Sequence, residues 1–193
     1  EETLDDIKSR GHQAIVRMRY TQPGDPATAV PDFIKESSGY EETTAEPGGE
    51  RTYYPDWRSE LLKSFHLKFY TNLSARYDRD PRIAFFQSGF GHYAEYHISG
   101  TELELGRNFP SKDFQAEFLQ HIEPLFQETP ISFGIESAKP KYSPVPERPE
   151  LAGLSYGLFD DSFMQSRHDY WQEDGGYNEG CLNDYNYTTR VLR

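Results

Sequence analysis

Short apolar runs alternate along the chain with longer amphipathic ones. Residues 12–20, "HQAIVRMRY", read as a buried strand ending in Arg17, Arg19 and Tyr20, and Leu4, Ile7 and Lys8 ahead of it follow a short helical pattern. From Asp56, an N-cap candidate after Pro55, apolar residues recur at Trp57, Leu61, Phe65, Phe69, Leu73 and Tyr77. That i, i+4 ladder predicts an amphipathic helix. It stops at "YDRDPR", where Pro81 biases Asp80 away from helical dihedrals. "IAFFQSG" (83–89) is almost continuously apolar, as a parallel strand buried on both faces would be. A second helix is predicted from an N-cap at Ser111 through Phe114, Phe118, Ile122, Leu125 and Phe126, kinked or shortened by Pro124. "ISFGIE" (131–136) and "LAGLSYGLFDD" (151–161) read as two further strands, with a proline-rich loop between them.

Four strands separated by helices or long connections predict parallel βαβ units, hence an α/β fold. The polar groups fall at strand C-terminal ends: Arg19 and Tyr20, then His92 to His97, then Glu136, then Asp160 and Asp161. In a (β/α)8 TIM-barrel-like fold that face carries the active site. A whole barrel takes roughly 250 residues, so the expectation is a single domain, residues 1–193, forming only part of one. A second chain or a missing segment would then complete the barrel and cover its edges. The connection 21–55 is too long for a simple link, and its length predicts that it covers something.

Composition sharpens this picture. Only 35% of residues are apolar, but 15% are aromatic, with 14 tyrosines and 13 phenylalanines that combine large buried areas with polar tips. This suits a core with wet, aromatic-lined clefts. A net charge of -12 argues against a nucleic-acid partner, which is bound mainly through Lys and Arg. No apolar run is long enough to span a membrane. The opening "EETLDDIKSRGH" lacks signal-peptide character, which predicts a cytoplasmic chain or a signal already removed. The single Cys181 excludes an internal disulfide and a multi-cysteine zinc site.

The chemistry concentrates in "FFQSGFGHYAEYHIS" (85–99), where a strand turns at Gly89-Phe90-Gly91 into two histidines, two tyrosines and Glu95. Glycoside hydrolysis needs a carboxylic acid to protonate the leaving oxygen and a second carboxylate about 5 to 10 Å away. Glu95, Glu136, Asp160 and Asp161 supply the carboxylates, and His92, Tyr93 and Tyr96 are placed to bond hydroxyls or stack on a sugar. Arg17 and Arg19 share a strand face by period two; one could bind a substrate hydroxyl or hold a carboxylate ionised, and a structural ion pair is the alternative. His92, Glu95 and His97 form H-x-x-E-x-H, which departs from the i, i+4 spacing of H-E-x-x-H zinc helices. No metal ligand and no cofactor is therefore assigned, and a zinc-dependent hydrolase is kept as the weaker alternative.

"YDRDPRIAFFQSGFGHYAEYH" resembles a segment of the DUF4832 family of bacterial glycoside-hydrolase-like proteins, whose pattern runs Y-x-x-D-P-R-I-A, a strand, then G-x-x-G-x-W-G-E-W-H. "FPSKDFQ" and "GLFDDSF" are similar to later parts of that family, so the likeness extends over roughly residues 54 to 165. Tyr93 and Tyr96 stand where the pattern has tryptophan, and Ala94 where it has glycine. The resemblance implies a (β/α)8 barrel with Glu95 as acid/base at the end of its fourth strand, followed by His97. It puts the nucleophile on a seventh strand, so the second carboxylate is either absent from this chain or one of Glu136, Asp160 and Asp161. It also implies action on external glycans, hence a secreted or periplasmic location.

The resulting expectation is a glycoside hydrolase taking an oligosaccharide or polysaccharide, with Glu95, Glu136 and Asp161 as catalytic carboxylates. Burial in an aromatic, partly dry pocket would keep Glu95 protonated. Arg19, Tyr20, His92, Tyr93, Tyr96, His97 and Asp160 would bind the sugar. The alternative is a non-catalytic glycan-binding protein on a barrel scaffold.

Overall fold

The computed structural model describes residues 1–159; Asp160, Asp161 and Cys181 lie outside them. In chain order the elements are α1 (Glu2–Ser9), β1 (Ala14–Met18), the single turn α2 (Asp32–Lys35), β2 (Thr43–Ala45), β3 (Thr52–Tyr54), α3 (Glu60–Tyr77), β4 (Ile83–Ser88), α4 (Lys112–Ile122), β5 (Ile131–Gly134), the single turn α5 (Pro149–Ala152) and β6 (Gly157–Phe159). Strands β1, β4, β5 and β6 form one sheet in that order, every pair parallel. Each new strand is added to the same edge, and all four C-terminal ends point one way. The protein is α/β with a parallel four-stranded sheet; no closed barrel is present among the described residues.

Alternation along the strands gives the sheet two unlike faces. Val16, Met18, Phe86, Ser88, Ile131 and Phe133 face the helices by register. There Phe86 meets Phe126 at 5.4 Å between ring centroids, Phe118 meets Phe133 at 6.0 Å, and the Tyr70 hydroxyl bonds Ser88 Oγ. The opposite face carries Ile15, Arg17, Phe85, Gln87, Ser132 and Phe159, and Ile15 is 56% exposed. The near-continuous apolar run of β4 predicts burial on both faces, yet Phe85 is only half-buried. Its second face has no helical layer among the described residues.

The helix α3 differs instructively from its predicted ladder. It starts at Glu60, with Ser59 Oγ accepting from the Leu62 N–H at 3.2 Å. Asp56, the expected cap, is instead buried, accepting from the Arg58 guanidinium at 2.9 Å and facing Arg107 at 3.4 Å. The deep stripe is Leu62, His66, Tyr70 and Ser74, one position on from the ladder, while Leu61 is 44% exposed. A polarity pattern misses this because two of the four innermost residues are polar. Each has one local partner, the Tyr20 hydroxyl for His66 Nδ1 at 3.0 Å and the Thr71 carbonyl for Ser74 Oγ at 3.0 Å, while His66 Nε2 is buried without a hydrogen bond.

The second helix follows its pattern. Ser111 Oγ caps α4 at the Phe114 N–H (3.3 Å), Phe114, Phe118 and Ile122 are buried, and the helix ends two residues before Pro124. The last predicted strand is split. Pro149 suits the first turn of α5, and only Gly157–Phe159 pairs in the sheet. A short apolar run does not distinguish strand from helix by periodicity.

Candidate active site

The site is built where the chain leaves β4. A Cβ on Gly89 would sit 2.0 Å from the Ala94 carbonyl oxygen, and one on Gly91 would sit 1.7 Å from that of His97. Only glycine lets residues 94–97 fold back so closely over the strand end. Tyr93 and Ala94 hold left-handed backbone, φ 55° and 60°, a conformation that costs non-glycine residues about 1–2 kcal/mol each. The turn is pinned by N–H donation from Gly91 to the Glu95 carbonyl (2.9 Å), from Glu95 to that of His92 (3.0 Å) and from Tyr93 to that of Thr21 (3.1 Å). Arg17 donates to the Tyr93 carbonyl at 3.2 Å and to Gln87 at 2.8 Å, and its guanidinium lies 4.7 Å from the Phe159 ring centroid. Arg17 is thus a brace of this turn, while Arg19 lies beyond β1 and is exposed.

This fold-back brings His92, Glu95 and His97 together. Their Nε2 atoms place the two imidazoles 2.8 Å apart, and Glu95 Oε2 is 3.7 Å from His92 Nε2 and 3.6 Å from His97 Nδ1. One ligand-type atom from each of the three lies within 4.8 Å of the others. From the helical turn after β5, Glu136 Oε1 comes within 3.6 Å of the same His97 Nδ1. Two oxygens at that distance from one nitrogen are separated by no more than twice it. The carboxylates of neighbouring strand ends therefore meet across a single imidazole.

The tautomers follow from the donors available. The Tyr54 hydroxyl donates to the Ser99 carbonyl at 2.9 Å, so toward His92 Nδ1, 3.2 Å away, it accepts. The proton of neutral His92 is then on Nδ1, and its Nε2 lone pair points at His97 Nε2, which donates. Burial, reinforced by the neighbouring His97, lowers the pKa of His92 to about 4. Burial also presses His97 toward neutral, but Glu136 and Glu95 outweigh it and raise its pKa above the usual imidazole value. At 3.6 Å these contacts are ion pairs, too long for hydrogen bonds, and His97 Nδ1 has no hydrogen-bond partner.

Of the other predicted residues, Tyr93 is 40% exposed beside the cluster. Tyr96, expected at the sugar, is a core residue instead: fully buried, packed on Phe90, Phe109 and Phe133, with its hydroxyl donating to Gln115 at 3.0 Å. The alternation within "HYAEYH" is broken by the left-handed pair, which turns Tyr96 inward. Tyr20 likewise joins the aromatic core, edge-on to Trp57 at 5.9 Å and bonded to His66. Arg19 and Tyr20 line a cavity of about 300 Å³ beside α3 with Phe65, His66 and Phe69, and none of His92, Glu95, His97 or Glu136 borders it.

Compared with known proteins, the chain matches no family model, no curated protein and no solved structure. Among the described residues, no helix is long and apolar enough to cross a membrane.

Pattern reading missed Tyr54 and Ser99. Tyr54 is brought to His92 by the β2–β3 hairpin, which lies in the long connection expected to cover something. The signal was that length together with "TYYP", aromatic residues ahead of a proline at a loop end.

Proposed function

We propose that this chain is part of a carbohydrate-active barrel enzyme, a glycoside hydrolase in which Glu95 is the acid/base and Glu136 the second carboxylate. The observation that carries the reading is the meeting of those two carboxylates, from adjacent parallel strand ends, on one imidazole. Carboxyl groups about 5 to 5.5 Å apart belong to retaining glycosidases, and wider pairs to inverting ones. The bound on the Glu95–Glu136 separation, twice 3.6 Å, admits the retaining arrangement and leaves room for only the narrowest inverting ones. The winding supports a barrel, because the strands are added in chain order to one edge and both long helices share one aromatic layer. The likeness of "GFGHYAEYH" to the glycosidase-like pattern supports the role given to Glu95.

In the retaining sequence Glu95 gives its proton to the glycosidic oxygen as the C–O bond breaks, and Glu136 bonds to the anomeric carbon. Water then attacks that carbon while Glu95 takes its proton, and the Glu136 ester is released. His97, 3.6 Å from both carboxylates, supplies the proton that Glu95 gives up and leaves Glu136 as the anion. Tyr93 is exposed enough to stack on the sugar.

Hydrolysis of a panel of aryl glycosides and oligosaccharides by wild type and Glu95→Gln tests this. The variant is expected to lose about 10²–10⁴-fold in kcat/KM on substrates with poor leaving groups and to keep kcat/KM on dinitrophenyl glycosides, whose departure needs no acid, while turnover of the latter slows at release of the Glu136 ester. Equal loss on both would remove Glu95 from the acid role, and a folded wild type that cleaves nothing would favour a glycan-binding protein.

A further inference from the structure

We infer that His92, His97 and Glu95 form a binding site for one divalent transition cation of the zinc class. Loop spacing alone gives no such indication, since H-x-x-E-x-H fits no single helical face; the fold-back at Gly91 creates it. The two imidazoles approach through like atoms, Nε2 to Nε2 at 2.8 Å, with Glu95 Oε2 3.7 Å from that of His92. Zinc–nitrogen bonds of about 2.0–2.1 Å at a tetrahedral angle separate two such nitrogens by about 3.3 Å. An ion therefore needs the pair to open by about half an ångström and Glu95, whose Oε2 is 3.7 Å from His92 Nε2, to close onto it. Two imidazoles and one carboxylate form a donor set suited to zinc and its neighbours, and they leave a fourth position for water.

The outer atom of the His92 ring is arranged as a metal-bound histidine requires, and that of His97 has a carboxylate close by. A ligating imidazole almost always has its other nitrogen held by a carboxylate, carbonyl or hydroxyl, which fixes the tautomer and aims the lone pair. Here His92 Nδ1 faces the Tyr54 hydroxyl at 3.2 Å, and that hydroxyl is itself fixed by Ser99. His97 Nδ1 is buried, 3.6 Å from Glu136 Oε1. The ion takes the place of the proton between the two Nε2 atoms, which leaves to solvent.

The inference stands on donor geometry and not on the glycosidase reading. The two are linked in one respect: a cation on Glu95 occupies the acid, so Zn²⁺ is expected to inhibit hydrolysis by the chain.

The test is isothermal titration of Zn²⁺ into chelator-stripped protein, with folding monitored by circular dichroism. Wild type is expected to bind one ion per chain. Tyr54→Phe, which leaves all three ligands in place, should weaken binding about 10–100-fold, His92→Ala should abolish it, and His12→Ala, at an exposed histidine, should leave it unchanged. No saturable binding by folded wild type would overturn the inference, as would equal binding by wild type and folded His92→Ala. Zinc binding without glycosidase activity would uphold this site and remove the hydrolytic reading; activity without zinc binding would do the reverse.

Discussion

Gly91 and Ala94 place opposite demands on the loop that carries Glu95. At Gly91 a side chain would collide with the His97 carbonyl, 1.7 Å away, and backbone cannot yield there as a flexible side chain could. Gly91→Ala is expected to remove binding and catalysis together, because the fold-back aligns all three groups of the cluster. Ala94, at φ 60°, is a non-glycine residue in a glycine conformation. Ala94→Gly should relieve that strain against a smaller cost in unfolded-chain entropy, raising stability by about 0.5–1 kcal/mol in a denaturant titration. A loss of stability would show that the left-handed turn is not strained. Strain of this kind clusters at functional sites, where the surrounding structure over-determines it. Here Arg17 and the hydrogen bond to Thr21 hold the turn in place.

At the scale of elements, α3 shows both how much was legible and what was hidden. The existence and end of the helix follow from the ladder Phe65, Phe69, Leu73 and Tyr77 and from "DRDP", and Ser111 marks the start of α4 directly. The face of α3 did not follow, because His66 and Ser74 carry the inner stripe and polarity hides them. His66 is fully enclosed by aromatic rings, among them Phe118 at 4.5 Å and Tyr70 at 4.9 Å. Burial, with a smaller contribution from His121, lowers its pKa from 6.5 to about 3. Between these values the unfolded chain takes up a proton that the folded one does not, so this contribution to stability is full above 6.5 and is lost as pH falls toward 3. Replacing His66 by Phe should remove it. From pH 7 to pH 5 wild type should lose about 2 kcal/mol more stability than His66→Phe in urea titrations, a difference unaffected by the lost Tyr20 hydrogen bond. Parallel losses in the two proteins would mean that His66 is charged in the fold.

For the whole molecule, strand order and the common direction of the strand ends were readable from apolar runs, and they brought Glu95 and Glu136 to one place. The cluster's geometry was not readable, since it depends on two left-handed residues and on Tyr54, which arrives from a hairpin 38 positions before His92. Nor was the inward turn of Tyr96, because a polar tip on an aromatic ring fits a cleft and a core equally well. The sheet face with Ile15 and Phe85 carries no helical layer among the described residues.

The central claim is that Glu95 is the acid/base of a retaining glycosidase. Azide rescue of Glu95→Ala on a dinitrophenyl glycoside tests it most directly. Without its base the variant should accumulate the Glu136 ester, and azide, which needs no base, should restore turnover and yield the glycosyl azide of retained configuration. Turnover indifferent to azide, with the free sugar as sole product, would contradict the account.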